Sequence, residues 1–225
     1  YYGPNYYSFD YGKVHFIVLD NVEWLGPGQS YRGGLDADQV QYVANDLKSV
    51  PDSQLVVISM HIPLTNVGNR HELYRLIEDR PYTLSLSGHT HWQAHQFIGA
   101  EDGWMGKEPH HHIVNVTVSG SWWKGLKDEN GIPHATMRDG APNGYSILTF
   151  DGHKVTFDFK AARRSADYQM NIYAPEAVSA SQLGETEVMV NVFAGSERSK
   201  VRFRIVGHSE WKRMDRTQAH DPEYV

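Results

Sequence analysis

"QLVVISMHIPL", residues 54–64, is the stretch on which the fold turns. Leu55 to Met60 form an apolar run too short for a helix of ordinary length and wide enough in character to be buried on both faces. Such a run reads as a central strand of a sheet covered by helices. His61 closes it and Pro63 stops it, so a titratable side chain sits where a buried strand runs out.

The flanking segments agree with that placement. Upstream, "LDADQVQYVANDLKSV" (35–50) repeats Val40, Val43, Ala44 and Leu47 at helical spacing. Asp36 is an N-cap with Gln39 three residues on, a capping-box-like pair, and Pro51 lies past the end. Downstream, Leu73, Leu76 and Ile77 predict a short helix over 71–80, followed by a strand at 83–87. The opening "YYGPNYYSFDYGKVHFIVLDN" (1–21) reads as two strands joined at Asp10-Tyr11-Gly12, the second ending at Asp20-Asn21, and residues 22–34 read as a loop. Alternating strands and helices predict an α/β core.

Beyond the second histidine motif the pattern turns β-rich. "HHIVNVTVSGSWW" (111–123) alternates and leads into a tryptophan-bearing loop. "GYSILTFDGHKVTFDFK" (144–160) is a hairpin turning at Asp151-Gly152. "TEVMVNVFAGSERSKVRFRIVG" (186–207) predicts another hairpin, with Val188, Val190 and Val192 on one face facing Val201, Phe203 and Ile205. The predicted division is 1–160 and a β-rich 161–225, with the boundary inside 161–180.

The composition narrows the function classes. A net charge of −6 with no basic block argues against a nucleic-acid partner. No apolar run is long enough to span a bilayer. With no cysteine, disulfides, thiolate metal sites and cysteine nucleophiles are excluded. The chain opens at Tyr1 without a methionine and is read as a piece of a longer protein.

"LSLSGHTHWQ" (84–93) places His89 and His91 two apart after a strand and after Gly88. Extended residues two apart point to one side, and neutral imidazole is a common ligand for zinc, iron and manganese. Two solvated loop residues would look the same in isolation. His61, at the end of another strand, makes a three-histidine set at the edge where α/β sheets build sites.

"SMHIPL" (59–64) followed by "SGHTHWQ" (87–93) resembles the last two metal-ligand motifs of the calcineurin-like metallophosphoesterases. "YYSFDYGKVHFIVLDN" and "GLDADQVQYVANDL" resemble the segments that precede them. "GSWWKG", "DENGIPHATMRDGAPNGYSILTFDG" and "DYQMNIY" resemble the C-terminal region of a secreted bacterial subgroup. The resemblance implies the C-terminal portion of an αββα sandwich and two divalent metal ions (Mn, Fe or Zn). His61 and His89 would ligate one ion and His91 the other. It implies hydrolysis of a small phosphoester by metal-activated water, and a periplasmic or secreted location. A single three-histidine zinc site is the chemical alternative.

The same resemblance implies Asp-x-His, Gly-Asp and Gly-Asn-His motifs ahead of Tyr1, so the catalytic residues are expected there, in the missing N-terminal part of the same protein. No Gly-Asp occurs in the chain, and "GNRHE" (68–72) falls out of order and reads as a loop and helix start. Three neutral histidines do not offset two dications, so the chain alone is expected to bind metal weakly and to be inactive. The rival reading is a non-catalytic glycan- or protein-binding module with relic histidines. Candidate substrate contacts are Trp122 and Trp123, by stacking, and Arg138, by its bidentate fork; adjacent tryptophans also serve as packing anchors. His110-His111-His112 reads as a polar loop leading into a strand rather than as metal ligands, and Asp20-Asn21 as a turn rather than as support behind the site.

Overall fold

The computed structural model describes residues 3–122, 127–131, 133, 137–219 and 221–222. The first strands are β1 (Tyr7–Tyr11), β2 (Val14–Val18), β3 (Val22–Trp24) and β4 (Tyr31–Gly33), followed by helix α1 (Ala37–Asp46) and β5 (Leu55–Ser59). Helix α2 (Arg70–Ile77) precedes β6 (Thr83–Ser87), β7 (Ala94–Ile98) and β8 (His110–Val114). The remainder is β9 (Gly144–Asp151), β10 (Lys154–Ala161), β11 (Met170–Tyr173), β12 (Met189–Val192), β13 (Arg202–Phe203) and β14 (Lys212–Arg213).

The principal sheet runs β1-β2-β5-β6-β8-β7. Its four central strands are parallel, and β1 and β7 close the edges antiparallel. The run at 54–64 therefore does form a central parallel strand, with Leu55, Val56, Val57 and Ile58 all buried. Alternation divides it between two cores. Val56 and Ile58 join Ile17, Val43, Leu73, Tyr74 and Ile77 beneath α1 and α2. Leu55 and Val57 join Val14, Leu84 and Ile113 on the opposite face, where Leu148, Phe150, Val155 and Phe157 of the β9–β10 hairpin cover them. A helix layer, a sheet and a β-layer make the α/β fold, and the chain turns β-rich after β8.

Local signals account for the elements. Asp36 caps α1, its carboxylate accepting from Gln39 N at 2.8 Å. The Gln39 side chain is also buried, its carboxamide pairing with both backbone groups of Asp20. Asn69 precedes α2 and pairs its carboxamide with the backbone of Leu35, so the "GNRHE" stretch is a loop and helix start. The hairpin at 151–152 forms with Lys154 opposite Asp151 and Gly152 at φ 60°.

Three expectations are corrected. Residues 22–34 contain a short hairpin, β3 against β4. His110-His111-His112 is strand, not loop. The hairpin expected over 186–207 does not form: β12 pairs with β11, and β13 pairs with β14. Alternation gives a strand its faces but not its partner. Phe193 decides the partner here, burying itself with Val116, Met137, Ala141, Phe159 and Ala161 while its N–H reaches Gln169 O.

Candidate active site

The parallel strands deliver their C-terminal ends to one edge. Gly88 N donates to His61 O at 3.1 Å, and Asn115 N donates to Ser87 O at 2.7 Å, so the ladder continues past the last strand residues. His61 and His89 thereby meet. His61 Nε2 lies 3.1 Å from His89 Nδ1, with ring centroids 4.9 Å apart. His91 has a partner of its own. Its Nδ1 contacts the Ser121 carbonyl, which only accepts, so Nδ1 carries the proton and Nε2 keeps its lone pair.

Gly88 does not take a left-handed backbone; the left-handed residues here are His89 (φ 71°) and His91 (φ 54°). A side-chain-bearing residue there costs roughly 1–2 kcal/mol. Such strain is concentrated at functional sites, where surrounding structure imposes it. Burial, then the neighbouring His61 and His91, holds the His89 imidazole below its usual value, which favours the neutral form a metal requires.

Asn21 is the supporting residue that the sequence reading set aside as a turn. It is fully buried, and its carboxamide oxygen accepts from His61 N (3.1 Å) and Ile62 N (2.9 Å) while its Nδ2 donates to Ile62 O (2.7 Å). It is a clamp on the histidine loop, not a simple turn. An asparagine ending one buried strand beside the next was the available signal.

A second clamp lies behind the same loop. Leu64 N donates to His112 Nε2 at 3.3 Å, so His112 carries its proton on Nδ1, which donates to Ser85 Oγ (2.6 Å). Ser85 then donates to His110 Nε2 (2.7 Å), and His110 Nδ1 donates to Thr83 Oγ1 (2.9 Å). Burial first, and the neighbouring histidines second, push His110 and His112 down to about 3. Both are neutral structural groups.

Aromatic rings border the histidines. Tyr31 meets His89 edge-on at 5.7 Å, and Trp122 lies 4.8 Å from His91. Trp123 lies outside the described residues. Arg138 is stacked on Trp92, its Cζ 3.4 Å from the ring centre, and lines a cavity of about 420 Å³ with Gln93 and β12. Among the described residues, no three His, Asp or Glu side chains converge closely enough to hold one ion. The His61 and His89 nitrogens could share one ion, and His91 could supply a single ligand to another. Metal–nitrogen bonds of about 2.1 Å set adjacent ligand nitrogens about 3.0–3.4 Å apart, which is the His61–His89 spacing. A ligand imidazole typically donates its other N–H to a carbonyl, which is the state of His91.

The model of one protein family, "C terminal of Calcineurin-like phosphoesterase", matches residues 112–225. The chain belongs to this family. Among solved structures it is similar to one titled "Structure of PhoD", at 14% identity over 68% of this chain and 40% of that one, with a TM-score of 0.41. The chain thus spans less than half the length of that structure. No curated protein matches it.

Proposed function

We propose that the chain is the C-terminal part of a dinuclear phosphoester hydrolase. What carries the reading is the His61–His89 contact at 3.1 Å beside His91 with a free Nε2, in a chain of the calcineurin-like phosphoesterase family. His61 and His89 hold one divalent ion (Mn, Fe or Zn), and His91 holds the other. When bound, the pair of ions polarises the phosphoryl oxygen and acidifies the attacking water. The chain's own residues present the nitrogens neutral, fix the ligand loop through Asn21 and keep Trp122 against His91. Arg138, held on the residue after His91, offers its guanidinium to the phosphate.

The bridging carboxylate and the proton donor belong to the N-terminal part of the same protein, in this reading. The chain alone binds metal weakly and does not turn over. Residues 1–160 complete the catalytic domain, and 161–225 form the β-rich region attached to it. The phosphoesterase acts in the periplasm or outside a bacterial cell. No helix among the described residues is long and apolar enough to cross a membrane.

Titrating manganese into the complete protein tests the assignment. Two sites are expected, with His61→Ala and His91→Ala each weakening a different one. A complete protein that binds no metal, or one in which both variants bind as the parent does, would favour a non-catalytic binding module.

A further inference from the structure

The hairpin β3–β4, which the sequence left as a loop, stands at the mouth of the histidine cluster. Its Tyr31 ring meets His89 edge-on at 5.7 Å and is 47% exposed. Trp24 is paired across the hairpin with Tyr31, and directly opposed residues share a face. Trp24 is 66% exposed. Trp122 lies 4.8 Å from His91 and is 69% exposed. Other aromatic side chains are exposed on this molecule, among them Tyr11 and Trp211. Tyr31 and Trp122 differ from those because each meets an imidazole of the cluster while remaining exposed.

The hairpin is built to stay in place. Arg32 donates to both Glu23 carboxylate oxygens (2.6 and 2.9 Å), and Gly33 bridges Val67. Gly34 N donates to Asn21 O, the residue that also clamps His61. Glycine is required at 33, where an added Cβ would lie 2.7 Å from Asn66 O. The wall that carries Tyr31 is thus braced on the same asparagine as the ligand loop, so the two keep a fixed relation.

We infer that Tyr31 and Trp122 are the specificity residues of the site, flanking the organic group of a phosphoester whose alcohol carries an aromatic ring. The inference rests on the phosphoesterase reading. With the phosphoryl group at the histidines, the ester oxygen directs its substituent outward past these two rings. Aromatic faces recognise a planar ring by stacking, independent of its hydrogen-bonding pattern.

The test compares phenylphosphonate, cyclohexylphosphonate and methylphosphonate as competitive inhibitors of the complete, manganese-loaded enzyme. All three carry the same anionic head and cannot be hydrolysed. Phenylphosphonate is expected to bind on the order of tenfold tighter than methylphosphonate. Tyr31→Ala and Trp122→Ala should each reduce that ratio severalfold, with Tyr31→Phe retaining it. Equal inhibition by phenyl and methyl compounds, or a ratio indifferent to both alanines, overturns the inference and leaves the phosphoesterase reading intact. Cyclohexyl binding as tight as phenyl also overturns it, in favour of a merely apolar alcohol. An enzyme that binds neither manganese nor any phosphonate overturns both readings.

Discussion

Asn21 and His61 lie at the ends of two neighbouring parallel strands, and the side chain of the first holds the backbone of the second. The Asn21 carboxamide oxygen is shared by His61 N and Ile62 N, and its amide returns a hydrogen bond to Ile62 O. The histidine's place is thereby set by its peptide, which leaves the imidazole free for a ligand.

Replacing Asn21 by alanine removes three hydrogen bonds, two of them buried, and strands two N–H groups. A loss of about 2–4 kcal/mol is expected in urea denaturation. Asn21→Asp keeps the acceptor but opposes a carboxylate to the Ile62 carbonyl, and is expected to recover only part of the loss. Both variants should weaken the metal site that uses His61.

Gly88 precedes the histidine pair, yet a Cβ added there meets nothing within 4 Å and its φ is not left-handed. Gly88→Ala is expected to change stability by less than about 0.5 kcal/mol. His89→Gly relieves the positive φ and is expected to raise the melting temperature while abolishing a ligand, the trade common at functional sites. Calorimetric melts of the two variants check both.

The buried histidines make the fold acid-sensitive. His110 and His112 fall to about 3 in the folded chain, against an ordinary value of 6.5, so the unfolded state binds more protons between those limits. Their stabilisation is complete above pH 6.5 and is lost as pH falls toward 3, at up to about 1.4 kcal/mol per pH unit for each histidine. Urea midpoints at pH 7, 6, 5 and 4 should drop steadily, and His112→Asn should flatten the slope.

Phe193 is 3% exposed and packs with Phe159 and Ala161 of β10. Phe193→Ala is expected to cost about 3–5 kcal/mol. Limited proteolysis should then cut first between β11 and β12.

Legibility followed the range of the interaction. The β5 run, the Asp36 cap and the Asp151-Gly152 turn are local and could be read directly. So could the meeting of His61 and His89, because each follows a strand of one sheet. The pairing of β12 with β11 depends on where Phe193 buries, which no local pattern encodes. The triple histidine misled because its polarity suggests solvent. Its complement lies 25–27 residues away, in "TLSLS", where Thr83, Ser85 and Ser87 turn their hydroxyls toward His110 and His112. Two alternating polar strands that answer each other were the signal.

That network also has a sense of direction. A backbone N–H never accepts, so Leu64 dictates the proton on His112, which dictates that of Ser85, then of His110. No member can reverse alone. Thr83 at the start of β6 and the histidine loop at its far end are therefore joined by a single file of oriented protons.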